Sequence, residues 1–124
     1  MKPVSGSTVT IRRAYEEPDP SAGTRVLVDR LWPRGVTKDR AAIDVWCKQV
    51  APSTDLRTWY GHDPARFEEF ARRYRDELAR PGQAAALARL ALLAARGPVT
   101  LVTATKDVGR SGAAVLAAAL DASA

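Results

Sequence analysis

Charged side chains gather at three points where an apolar run of the chain comes to an end. Val26-Leu27-Val28 runs into Asp29-Arg30, with Trp32 and Arg34 close behind. Val45-Trp46-Cys47 is followed by Pro52-Ser53 and, one helical turn later, Arg57. Val99 to Ala104 leads into Lys106-Asp107 and then Arg110-Ser111. If these runs are parallel strands, their ends share one edge of a sheet, the edge outside which α/β proteins bind ligands. Guanidinium and ammonium groups there, beside a helix start at Ser111, suit a phosphate, sulfate or carboxylate. Gly109 and Gly112 would let backbone N–H groups approach such an anion closely. The expected ligand-binding set is Arg30, Trp32, Arg34, Ser53, Arg57, Lys106, Arg110 and Ser111, with Lys38 at the rim.

Asp29, His62 and Asp107 are the candidates for acid or base chemistry. His62 is the sole histidine, and imidazole titrates near neutrality. It equally suits a loop residue ahead of Asp63. Asp29 and Arg30 have a competing reading as ion-pair partners of Lys106 and Asp107, tying adjacent strand ends together. Cys47 reads as a small packed side chain, since no glycine-rich loop and arginine follow it as they would a thiolate nucleophile. Ser53 and Ser111 read as helix caps, because no GxSxG elbow surrounds either. Trp32 and Trp46 suit a core or lid better than a substrate platform. Neither GxxxxGK[ST] nor GxGxxG occurs. With a single cysteine there is no thiol pair for zinc or a disulfide. No metal and no cofactor are expected.

The elements that must position these residues follow from periodicity. Val9 and Ile11 alternate with polar neighbours, which predicts a strand over Thr8 to Arg12. A Pro, Asp, Ser and Gly loop from Glu16 to Gly23 separates it from a buried strand over Thr24 to Asp29. A brief helix is expected over Thr37 to Ala42 and a strand over Asp44 to Gln49, although Ile43, Trp46, Cys47 and Val50 also fit helical spacing. Ser53 caps a short helix carrying Leu56 and Trp59. Asp63-Pro64 begins another helix, whose Phe67, Phe70, Tyr74 and Leu78 form one apolar stripe. Pro81-Gly82 separates it from a helix over Gln83 to Arg96, with Leu87, Leu90 and Leu93 inward and Gly97 as a left-handed cap. A strand over Val99 to Ala104 and a helix after Ser111, packing Val115, Leu116, Ala119 and Leu120, complete the chain. Strands interleaved with helices predict an α/β fold: a single three-layer α/β/α domain over 1–124, with a mainly parallel sheet of about four strands. The ends, 1–7 and 122–124, are expected to be flexible.

Composition narrows the partners. The chain of 124 residues is 46% hydrophobic and 27% charged, with a formal charge of +5. There is no run of about 18 apolar residues and no apolar core in the N-terminal segment, so a cytoplasmic protein away from membranes is expected. A basic domain invites nucleic acid as a partner. However, 15 of the 19 cations are Arg and no Asn occurs, a bias that GC-rich coding explains without function. Arg66, Arg72, Arg73 and Arg75 form a basic helical face, interrupted by Glu68, Glu69, Asp76 and Glu77. A nucleic-acid-binding or regulatory protein is therefore the first alternative to small-anion binding. An interaction module without chemistry is the second.

The segment RVLVDRLWPRGVTKDRAAIDVWCKQVAPSTDLRTWYGHDPARFEEFARRYRDEL resembles the YeaO-like family, a branch of domain of unknown function 488. VDRLWPRG with a following lysine, then APS, then His-Asp-Pro before an aromatic helix carry the likeness. It begins near Ile11 and continues more loosely through Val99 to Leu120. The resemblance implies a small bacterial α/β domain with no established activity, leaving enzymatic activity open. Its family-typical positions map onto Asp29, Arg30, Trp32, Pro33, Arg34, Gly35 and Lys38. They continue with Pro52, Ser53, Arg57, His62, Asp63, Lys106 and Asp107. Relatives often carry His and Asn after the Lys-Asp pair, and other branches a Cys-His-Arg, where this chain has Val108-Gly109-Arg110-Ser111. That departure implies a site lacking thiol chemistry and keeping an arginine and a helix start.

Overall fold

In the computed structural model, which describes residues 9–19 and 23–123, one parallel sheet runs in the order β1-β4-β2-β3. Its strands are β1 (Val9–Arg13), β2 (Thr24–Leu27), β3 (Val45–Trp46) and β4 (Val99–Thr103). β4 lies between β1 and β2, with Val9 and Thr24 both in register with Val99. All five of its residues are buried, which its sequence VTLVT anticipates: a central strand shows no polar face. The two threonines are made compatible with burial by hydrogen bonds. Thr100 Oγ1 meets Thr10 Oγ1 at 3.0 Å, and Thr103 donates to Asp29.

The two sheet faces are covered unequally. Val26, Val28, Val99 and Leu101, with Val9 and Ile11, pack against α2 (Thr54–Tyr60), α3 (Phe67–Leu78), α4 (Pro81–Arg96) and α5 (Gly112–Ser123). The aromatic stripe of α3 fills this core, with Phe70 stacked on Tyr60 at 4.3 Å between ring centres. Tyr74 donates to the carbonyl of Val50. On the other face, Leu27 and Val102 are covered by Trp32, Ile43 and Trp46. The helical layer there is the single turn α1 (Lys38–Ala41). Arg25 is only 4% exposed, and its Nη2 and Nε donate to Ala41 O at 2.8 and 3.1 Å. This guanidinium thereby satisfies the last carbonyls of α1 and fixes it to the sheet.

Three sequence expectations change. The strand expected over Asp44 to Gln49 shortens to Val45–Trp46, followed by a 3-10 turn at Lys48–Val50. Among the described residues β3 is an edge strand paired with the short β2 alone, and the turn buries Val50 completely. Pro81 and Gly82 belong to the first turn of α4, because proline lacks only an N–H that would be unpaired there anyway. Gly97 has φ 168, extended backbone, so α4 ends without a left-handed cap. Of the expected loose ends, 1–7 and 124 lie outside the described residues, as does Thr8 of the first predicted strand, while 122 and 123 are the last residues of α5.

Candidate functional site

Parallel pairing sets the carboxyl ends of β2 and β4 side by side, with Leu27 opposite Val102. The chain leaving β2 passes to α1 on the tryptophan face, and the chain leaving β4 passes to α5 on the helical face. Divergence of neighbouring strand exits opens a crevice at such a point. A cavity of about 630 Å³ occupies it. The loop after β2 contributes Asp29, Arg30, Leu31, Trp32 and Arg34 to its wall. Arg57, Thr58 and Tyr60 enter from α2, and His62 follows. Thr103, Thr105, Lys106 and Asp107 come from the end of β4, and Ser111, Gly112 and Ala113 from the start of α5.

Asp29 is a clasp between strands. One carboxylate oxygen accepts from Thr103 Oγ1 at 2.7 Å and the other from the Ala104 N–H at 2.8 Å. Its carbonyl accepts from Trp46 Nε1 at 2.8 Å, so the same residue anchors the tryptophan layer. Trp32 donates to Val36 O at 2.6 Å and meets Trp46 edge to face at 5.4 Å. Gly35, at φ 79, makes the turn between these two groups, a conformation that costs a side-chain-bearing residue about 1–2 kcal/mol. The loop carrying Arg30 and Arg34 is thus held by backbone acceptors and indole rings.

That arrangement leaves cations in the cavity wall without counter-ions. Among the described residues, Arg30, Arg34, Arg57 and Lys106 have no carboxylate within ion-pair distance. Arg30 Nε donates to Pro52 O at 3.3 Å. Asp107 pairs with Arg110 at 3.2 Å. The ion pairs that would tie Asp29 and Arg30 to Lys106 and Asp107 are not formed. Ser111, 1% exposed, donates to Val108 O at 2.7 Å and accepts from Ala114 N at 3.2 Å, which makes it the cap of α5. The N–H groups of Gly112 and Ala113 have no acceptor among the described residues. A Cβ at Gly112 would lie 3.3 Å from Pro52 Cγ, so glycine here lets the helix start close against the cavity wall.

The other sequence candidates lie differently. Ser53 caps α2 by accepting from Leu56 N at 3.1 Å, while Glu77 receives its hydroxyl at 2.5 Å and its N–H at 2.8 Å. It stands outside the cavity wall, as do Lys38, exposed at the start of α1, and Arg110. Arg110 instead offers its carbonyl to Tyr60 OH at 2.7 Å. His62 is exposed, with a left-handed backbone at φ 58 and its ring 6.0 Å from Tyr60. Tyr60 has its pKa raised by burial and then by Asp107, so its phenol stays protonated and donating. Burial also raises the Cys47 thiol, opposing thiolate formation. Among the described residues, no three His, Cys, Asp or Glu side chains cluster closely enough to hold a metal ion.

Leu31, Thr58, Tyr60, Phe70, Thr103 and Thr105 line the cavity without having been anticipated. Thr103 and Thr105 were readable as polar residues at a strand end. Tyr60 and Phe70 carry only a helix-packing signal, and their place in the wall comes from the docking of α2 on α3.

Comparison with known proteins places this chain in a family. A family model described as the inactive DUF488-N3 subclade matches residues 8–124. An uncharacterised protein of Mycobacterium tuberculosis strain H37Rv is 53% identical over 118 residues, covering 95% of this chain and 98% of the relative. The uncharacterised protein YeaO of Escherichia coli K12 is 38% identical over 109 residues, covering 88% and 93% respectively. No solved structure matches the chain significantly. With the family model and these relatives in agreement, the chain belongs to the DUF488 family as a YeaO-like member.

Proposed function

We propose that this protein binds a small anionic ligand, bearing phosphate, sulfate or carboxylate, in the cavity at the strand ends. The observation that carries this reading is the set Arg30, Arg34, Arg57 and Lys106 lining one cavity without carboxylate partners among the described residues. Unpaired cations in a partly enclosed crevice attract an anion more strongly than the same charges on open surface. The first-turn N–H groups of α5, without acceptors among the described residues, add partial positive charge to the same cavity. Binding is favoured over catalysis. Asp29 has both oxygens engaged, Asp107 is paired with Arg110, and the family model's description as inactive agrees.

A nucleic-acid interface on the Arg-rich face of α3 is less well supported. Arg66 pairs with Asp63, Arg72 with Glu69 and Asp76, and Arg73 with Glu69. Arg66 and Arg73 also lie over the Trp59 ring. An interaction module would be favoured by fully paired strand-end charges, which this cavity lacks.

A thermal-shift screen of anionic metabolites and nucleotides, followed by titration of the hits, tests the proposal. Arg34→Ala is expected to weaken a hit by about tenfold or more, the loss of one charge-assisted hydrogen bond. Arg34 is exposed, so its removal leaves the fold intact. Unchanged affinity in that variant would sink the reading.

A further inference from the structure

We propose that the cavity selects a small-molecule phosphate monoester. Its dianionic group is held by the unpaired cations and the first turn of α5, and its organic body lies against Leu31 at the mouth. The proposal rests on the anion-binding reading and narrows it to one ligand class.

Charge supports the dianion. Among the described residues, Arg30, Arg34, Arg57 and Lys106 line the cavity against two carboxylates, Asp29 and Asp107. The wall therefore carries an excess of two positive charges. Asp107 is further neutralised by Arg110, which lies outside the wall. A carboxylate or a sulfate ester brings one negative charge, whereas a phosphate monoester brings about 1.5 to 2 at neutral pH.

Size and surface support the organic body. The cavity of about 630 Å³ lies in the range of about 300–1,000 Å³ typical of organic-ligand sites. Inorganic phosphate, with five heavy atoms, would leave most of it to water. Leu31 lines the cavity yet is 65% exposed. An apolar group on the ligand would remove that side chain from water, a favourable transfer that bare phosphate cannot supply. The buried Pro33 and Pro52 and the ring of Phe70 continue the apolar surface inward.

Calorimetric titration of the full chain with phenyl phosphate, inorganic phosphate and benzoate tests this. Phenyl phosphate is expected to bind at least about tenfold more tightly than either of the others, a difference of about 1.4 kcal/mol. Leu31→Ser should bring phenyl phosphate down to the level of inorganic phosphate and leave inorganic phosphate unchanged. Lys106→Ala should weaken both. Leu31 and Lys106 are exposed, and a thermal melt of each variant checks that it folds. Equal binding of phenyl phosphate and inorganic phosphate, equal binding of benzoate, or indifference to Leu31→Ser would overturn the monoester inference alone. No binding of any of the three at millimolar concentration would overturn the anion-binding reading with it.

Discussion

A carboxylate among arginines at a strand end invites a catalytic role, but hydrogen bonding assigns Asp29 another task. Its two oxygens accept from Thr103 Oγ1 and the Ala104 N–H, joining the exits of β2 and β4 across the floor of the cavity. Asp29→Ala would leave the Ala104 N–H without its acceptor and Thr103 Oγ1 with only the longer contact to Thr105 Oγ1 at 3.3 Å, costing about 1–3 kcal/mol of stability. Asp29→Asn, which keeps one acceptor oxygen, should cost less. Urea denaturation measures both, and a wild-type midpoint for the alanine variant would contradict the clasp. Glu69 is a surface counterpart. Side-chain hydrogen bonds from Arg72 and Arg73 lower its pKa from 4.5 to about 2. A lowered carboxylate pKa contributes stability fully above about pH 4.5, progressively less as pH falls, and none below about pH 2. Glu69→Gln should flatten that acid limb in a pH series of thermal melts. Added salt should flatten it too, since the group is solvent-screened.

At the scale of elements, the short pieces around the cavity are held by their ends. α1 is four residues long, too short to persist by propensity. It is kept by the Thr37 cap, where Thr37 Oγ1 accepts from Arg40 N at 3.2 Å, and by Arg25 on its final carbonyls. Its C-cap Ala42 has left-handed φ 50, which penalises a Cβ by about 1–2 kcal/mol. Ala42→Gly should therefore stabilise the protein by up to about 1 kcal/mol, after the extra freedom glycine gives the unfolded chain. A lower melting temperature would show that this strain is relieved elsewhere. The helices of one face were legible because their apolar stripes are long and regular. Phe67, Phe70, Tyr74 and Leu78 could form no other pattern. β3 was less legible, since Val45-Trp46-Cys47 fits both periods and only its edge position limits it to two residues.

For the whole molecule, the site follows from strand order. β4 enters between β1 and β2, and its exit turns towards α5 while that of β2 turns towards α1. If the cavity is the binding site, ligand stabilises the native state by linkage. A ligand at about a hundred times its Kd should add about 2.7 kcal/mol and raise the melting temperature accordingly. By contrast, duplex DNA at low salt should give no gel shift, because Arg72 and Arg73 of α3 are already paired with Glu69 and Asp76 and, among the described residues, leave Arg75 as an isolated charge on that face. A shift that weakens steeply with added salt would revive the nucleic-acid alternative.

The sequence by itself determined the α/β class, the apolar faces of α3 and α5, the capping roles of Ser53 and Ser111, and the family signature. These depend on periodicity and on contacts a few residues apart, which the order of residues records directly. Tertiary structure alone decided which charges remain unpaired. Arg30 and Asp29 are neighbours in the chain, yet among the described residues one is left in the cavity wall without a carboxylate and the other is consumed by a residue 74 positions away. The same holds for Ser53, drawn out of the site by Glu77, and for Leu31, whose exposure matters only because a cavity lies beneath it. Hydrogen-bond partners at long range are set by strand order and helix docking, and no local pattern encodes them.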